Sequence, residues 1–96
     1  MGNYLLSTQA KEDLYRIYQY GILNFGEKKA EEYFDNFFKN FERIAMNPFH
    51  FPSAEYIRKD YRKCISGEDT IYFKVEKSIV LIVTIIRSQD IGISLL

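Results

Sequence analysis

The chain has 96 residues, 47% of them apolar and 27% charged, and its 13 basic side chains are balanced by 13 acidic ones. That length supports one domain around one hydrophobic core, and the apolar content excludes a disordered chain. A net charge of zero excludes a global field that would draw the protein to nucleic acid or to an anionic membrane, so any such contact must come from a local patch.

Tyr4-Leu5-Leu6 is a short β-prone run, and Ser7 or Thr8 offers a side-chain acceptor for the start of a helix. Ala10, Leu14, Ile17, Gly21 and Phe25 then recur at helical spacing, with Lys11, Glu12, Asp13 and Arg16 between them, which predicts an amphipathic helix. Gly21 costs about 1 kcal/mol relative to Ala inside a helix, so it either permits close packing or weakens the helix. Gly26 suits the left-handed residue that ends helices, and a second helix begins near Glu27. It carries Ala30, Tyr33, Phe34, Phe37, Phe41, Ile44 and Ala45 on one face until Asn47-Pro48 stops it, and Phe38 widens the stripe. The short link makes the pair an antiparallel hairpin, whose aromatic load demands a flat apolar surface beneath it.

Phe49 to Ala54 reads as an irregular connection. Tyr61, Lys63 and Ile65 alternate with Arg62 and Cys64 as a short strand, and Gly67-Glu68-Asp69 is a turn. Thr70 to Glu76 alternates Ile71, Phe73 and Val75 against Tyr72, Lys74 and Glu76, a strand with one wet face. After Lys77-Ser78 comes the run Ile79 to Ile86, uncharged and rich in β-branched residues, too short to cross a bilayer as a helix and fit for a central strand buried on both faces. The order β-α-α-β-β-β predicts an α+β domain over residues 1–96, with a helical hairpin on one face of a small, mostly antiparallel sheet. The hairpin covers one face of the last strand. Alternation puts Ile79, Leu81, Val83 and Ile85 on one side and Val80, Ile82 and Ile86 on the other, so a second apolar face awaits the tail Ile91, Ile93, Leu95 and Leu96, a second copy, or a partner.

The sequence holds no metal-ligand spacing, Gly-rich phosphate cradle or nucleophile with a positioned base. His50 is the one histidine, and the single cysteine, Cys64, reads as a small core residue on a strand. No catalytic residue, metal or cofactor is expected. One cysteine and no charged-then-apolar leader predict a reducing, cytoplasmic setting. Arg58, Lys59, Arg62 and Lys63, interleaved with Tyr56 and Tyr61, form a basic cluster that suits phosphate or an acidic protein surface, or else guards a strand edge against aggregation. In an antiparallel meander Arg87 comes to the turn near Gly67 to Thr70, on one side of the sheet with that cluster.

The opening LLSTQAKEDL, FGEKKAEEYFDNF at the second helix, the NP that ends it, IRKDYRKCISGEDTIYFKV and IVTIIRSQD follow one another at intervals that resemble the ParE toxins, within the ParE/RelE superfamily of bacterial toxin-antitoxin modules. The resemblance spans nearly the whole chain. It implies a compact toxin that inhibits DNA gyrase by protein-protein binding and is neutralised by a cognate antitoxin, with no direct membrane contact and with DNA met only through antitoxin or gyrase. The target surface it implies is Arg58, Tyr61, Arg62, Lys63, Arg87, Ser88, Gln89 and Asp90 with the following tail. The antitoxin surface is Leu14, Tyr18, Phe34, Phe38, Val80 and Ile82. The alternatives are a RelE-like, ribosome-dependent messenger ribonuclease using Arg62 and Arg87 on phosphate, and an inactive antitoxin-binding homologue. Such nucleases commonly use a histidine or tyrosine near the C-terminus, and this chain has neither after Tyr72, so phosphate charge is met but no group is left to move protons.

Overall fold

The computed structural model describes residues 2–88. Its elements are β1 (Asn3–Leu6), α1 (Thr8–Phe25), α2 (Glu27–Met46), a 3-10 turn (Pro48–His50), β2 (Arg62–Ser66), β3 (Asp69–Glu76) and β4 (Ile79–Arg87). The sheet order is β1-β4-β3-β2, with β1 parallel to β4 and the other pairs antiparallel. The predicted order and the α+β class are those observed, and β4 is a central strand.

Local chemistry sets each boundary. The Ser7 hydroxyl accepts the Ala10 N–H at 2.9 Å and so caps α1, while Gly26 at φ 89° and ψ 163° holds a backbone that side-chain-bearing residues avoid. Gly21 faces α2 closely: a Cβ there would lie 3.2 Å from the Ala30 Cβ. Gly67 has φ 60°, and a Cβ on it would meet Tyr33 Cε1 at 2.4 Å. Lys77 and Ser78 both take positive φ, the twist-matched arrangement of a two-residue hairpin.

Phe37, Phe41 and Ile44 of α2 are fully buried against Ile71, Phe73, Ile82 and Ile85 of the sheet, with Leu14 and Val80 completing the cluster. Each such side chain is worth about 1.5–3 kcal/mol in burial, which makes this layer the stabilising centre of the molecule.

Three expectations are corrected. Leu14, Val80 and Ile82, expected on an antitoxin surface, are core residues under the hairpin with 4% exposure or less. The β3–β4 register shifts between Tyr72 and Phe73, where Phe73 pairs with Ile82 but Tyr72 pairs with Thr84, so Val83 is an extra residue. This bulge reverses the alternation and turns Ile85 into the core beside Val80 and Ile82, instead of leaving it with Ile79, Leu81 and Val83. The outer face of β3 is also drier than its alternation implies: Thr70 and Tyr72 are buried and only its far end, at Glu76, is exposed. Ile91, Ile93, Leu95 and Leu96, named as a cover for the second face, lie outside the described residues.

Candidate functional site

Two polar regions stand at different places on the sheet. The first is a groove of about 1080 Å³ between the helical hairpin and the β3–β4 end of the sheet, walled by Ile17, Tyr18, Tyr20, Phe25 and Phe34 and closed by Ile85 and Ile86. Its floor holds two buried carboxylates. β1 is short, and its last pair is Leu6 with Ile82, so among the described residues the β4 edge beyond that point has no strand beside it. Ser7 takes over first, with its N–H on the Ile82 carbonyl at 3.0 Å and its hydroxyl on the Val83 carbonyl at 2.6 Å. Asp13 Oδ2 follows, accepting the Ile85 N–H at 2.9 Å and the Thr84 hydroxyl at 2.7 Å, while Oδ1 accepts from Gln9 and Arg16 at 3.0 Å each. Burial pushes the Asp13 carboxyl up, but these donors outweigh it and hold the group below its ordinary value.

Asp69 is the second carboxylate, 3% exposed at the start of β3 and paired in register with Arg87. The Tyr33 hydroxyl donates to Asp69 Oδ2 at 2.6 Å, shares its proton with the Ser66 carbonyl at 3.1 Å and accepts the Glu68 N–H at 2.9 Å. Burial raises the Asp69 carboxyl above its usual range, although Tyr33 and the charges of Arg87 and Arg16 pull the other way. The same burial, with the Asp69 bond, drives the Tyr33 phenol far up. The Arg87 guanidinium lies 5.7 Å over the Tyr20 ring on the groove rim.

The second region is the corner where the segment after α2 wraps β2. Ser53 bridges to Arg62, and the Lys63 N–H bonds the Pro52 carbonyl. Arg62 is tied down, its guanidinium on the Phe51 carbonyl at 2.7 Å and 5.0 Å over the Phe49 ring. Lys63 points to the opposite face, with Nζ 3.1 Å from the Tyr56 hydroxyl and 5.1 Å over that ring. The lysine lowers the Tyr56 pKa, and the Tyr72 hydroxyl beside it acts the same way. Tyr72 itself is wholly buried, its hydroxyl beside the Tyr56 oxygen but without a hydrogen bond of full geometry among the described residues, and burial, with that neighbouring hydroxyl, raises its pKa.

The expected target residues do not converge. Arg87 does reach the β2–β3 turn, opposite Asp69, but Arg62 pairs with Phe73, roughly 14 Å along the strands and 10 Å across them from Arg87. Arg58 is exposed and Tyr61 half-buried on the loop before β2. Ser88 is exposed, its N–H on the Glu68 carbonyl and its hydroxyl paired with Thr70 at 2.8 Å. Gln89 and Asp90 lie outside the described residues. Of the expected antitoxin residues, Tyr18, Phe34 and Phe38 remain partly open as an aromatic row along the hairpin, with centroids 5.2 and 5.1 Å apart.

Asp13, Tyr33, Asp69 and the Lys63–Tyr56–Tyr72 cluster were not foreseen as site residues. A signal existed for the acids: Asp13 falls on the inward stripe with Ala10, Leu14 and Ile17, and Asp69 has the strand parity of Ile71 and Phe73. Among the described residues, no group of His, Cys, Asp and Glu side chains converges to hold a metal ion, and no helix is long and apolar enough to cross a membrane. Cys64 is buried and its thiol is pushed up by desolvation, a core residue without the thiolate character of a nucleophile.

The family model of the ParE toxin of the type II toxin-antitoxin system parDE matches residues 4–92. The chain is 30% identical over 90 residues to Toxin ParE1 of Caulobacter vibrioides, covering 94% of each chain. It is 32% identical over 72 residues to Toxin ParE1 of Mycobacterium tuberculosis, covering 75% of this chain and 74% of that one. In fold it is similar to a chain of the chromosomal ParDE system from P. aeruginosa, with a TM-score of 0.80 and 17% identity over 91% of this chain and 96% of the other.

Proposed function

Because the chain belongs to the ParE toxin family of type II toxin-antitoxin systems, we propose that it arrests growth by binding DNA gyrase without catalysing a reaction itself, in the cytoplasm, and that a cognate antitoxin neutralises it. The observation that carries this reading is the family match across residues 4–92. The target surface is assigned to Arg87 on the groove rim, where a guanidinium stacked on Tyr20 is held out to a partner, with Arg58, Tyr61, Arg62, Lys63 and Ser88 to Asp90 at its margins. The antitoxin is assigned to the row Tyr18, Phe34 and Phe38, whose half-open rings offer apolar area that a partner helix can cover.

One observation supports the ribosome-dependent ribonuclease as a second reading. Sequence left that chemistry without a proton-moving group, and the Lys63–Tyr56 pair is one: an ammonium 3.1 Å from a phenol whose pKa it lowers.

Purified protein added to gyrase and supercoiled DNA separates the readings, run beside translating ribosomes carrying a labelled messenger. Gyrase inhibition with accumulation of cleaved DNA supports the first reading; cut messenger, lost on Tyr56→Phe, replaces it with the second. Neither activity, with antitoxin binding intact, leaves an inactive antitoxin-binding homologue. Arg87→Ala is expected to abolish gyrase inhibition and retain antitoxin binding, whereas Tyr18→Asp weakens antitoxin binding at least tenfold and leaves gyrase inhibition in place.

A further inference from the structure

The groove beside α1 runs along a strand edge that is only partly closed among the described residues. In an antiparallel ladder successive residues turn their N–H and C=O alternately to one neighbour and to the other. The Ser88 N–H bonds toward β3, on the Glu68 carbonyl at 2.9 Å, and the Ile85 N–H turns the other way, to Asp13. The Arg87 N–H and the Ile85 carbonyl therefore face away from β3, beyond the last residue of β1, and have no partner among the described residues. Ile85 is fully buried, so its carbonyl calls for a donor that water does not supply. The groove beside this edge is lined by four consecutive strand residues, Thr84 to Arg87, and by Ile17 and Tyr20 of α1 across from them. It has the form of a slot for an extended chain that adds to the sheet.

We propose that the chain's own segment 89–96, outside the described residues, fills this slot, turning back after β4 to run antiparallel along the Thr84 to Arg87 edge as a further strand. The segment starts at the groove itself, since Arg87 lines it. Gln89 to Gly92 is the length of a hairpin loop, with Asp90 suited to a type I turn and Gly92 free to take a positive φ. The four residues that follow span roughly 13 Å when extended, the length of the four strand residues they pair with. Their composition fits as well. Ile93 and Leu95 fall on one side, toward Ile17 and Tyr20, and the segment's one charge, Asp90, stays in the loop at the end of a groove that Lys29 and Arg87 line. Tethering gives the segment an effective concentration that a separate chain must exceed. Tyr18 and Phe34 wall the same groove, so the segment is a built-in competitor that the antitoxin displaces, a consequence that rests on the antitoxin seat proposed above.

Amide hydrogen exchange on the full chain, followed by NMR, tests this without a partner present. The Arg87 amide should exchange at least about tenfold more slowly than an open amide. Ile93→Asp, which sets a charge against the apolar wall, should abolish that protection, and Gly92→Val, strained at positive φ, should do the same. The Ser88 and Ile71 amides, bonded within the described sheet, should stay protected in both variants and so show that the domain is folded. With antitoxin added, both variants should bind it roughly tenfold more tightly than the parent chain. An Arg87 amide that exchanges freely in the full chain overturns the inference, as does protection that survives both substitutions. Protection that appears only with antitoxin gives the edge to a partner strand, and protection that grows with protein concentration gives it to a second copy; either result overturns it too. Protection lost in both variants with antitoxin affinity unchanged keeps the segment in the slot and removes the antitoxin from Tyr18 and Phe34, so the two readings fail separately.

Discussion

The groove and the β2 corner both collect charge and tyrosine on one small sheet, yet they satisfy their polar atoms in opposite ways. In the groove, each buried carboxylate oxygen that finishes the β4 edge has a donor, and the Tyr33 hydroxyl serves three partners at once. At the corner, donors accumulate and the Tyr72 hydroxyl has no bond among the described residues. Inward charge that is fully bonded serves the fold; outward charge that is under-bonded is left for a partner. By this measure Arg87 is the exception within its own region, because it rims the groove but spends its guanidinium on an aromatic face and on the field of Asp69.

The comparison breaks most visibly if Asp13 proves dispensable. Asp13→Ala strips the acceptor from the Ile85 N–H and the Thr84 hydroxyl at an edge that no strand covers among the described residues, with an expected loss of about 2–4 kcal/mol in urea unfolding. Asp13→Asn keeps one oxygen in place and should recover part of it. Next in size is Gly67→Ala, which forces a Cβ into Tyr33 Cε1 at a φ of 60°. Tyr33 cannot step away without dropping its bonds to Asp69 and Glu68, so about 2 kcal/mol is expected from the same measurement.

Acid sharpens the contrast between the two groove carboxylates. Asp13 is held below its ordinary value of 3.8, so its share of stability is present above that value and is lost as pH falls through the lowered folded pKa. Asp69 is raised, so its proton is held more tightly in the folded chain. Its share is fully present below 3.8 and is lost as pH rises through the raised folded pKa. Asp13→Asn should therefore cost most at neutral pH and least in acid, and Asp69→Asn the reverse. Urea midpoints across the acid range that moved in parallel for both variants would show that the two groups share one environment.

The same two acids mark how far the sequence could be read. Helical spacing and strand alternation locate all six major elements, the Gly21 contact and the Cys64 position, because each depends on residues near in sequence. The β4 bulge depends on how Val83 meets Tyr72 across the sheet, so alternation carried Ile85 to the wrong face and left Val80 and Ile82 looking uncovered. The groove fails to show for a related reason: its carboxylates are placed by pairs as distant as Asp13 with Ile85 and Tyr33 with Asp69. A charged residue on an inward stripe was the available sign. The corner was legible as a basic cluster, but not the division of Arg62 and Lys63 between two faces, which leaves Tyr56 under the lysine and Phe49 under the arginine.

The two tyrosines that represent the two regions set the comparison at the level of a single oxygen atom. Removing one oxygen from Tyr33 breaks a charge-assisted bond to Asp69 and orphans the Glu68 N–H, so Tyr33→Phe should cost about 1–3 kcal/mol. It should also raise the Asp69 carboxyl further, since that bond is one of the forces holding it down. Removing the same oxygen from Tyr72 takes away a buried hydroxyl with no hydrogen bond of full geometry among the described residues, so Tyr72→Phe should be neutral within about 0.5 kcal/mol or mildly stabilising. Identical chemistry with effects of different size, read from paired urea titrations, ties stability to bonding rather than to burial, because Tyr72 is the more buried of the two side chains. Equal losses from both would show that the corner hydroxyl is satisfied in solution and belongs, like Tyr33, to the fold.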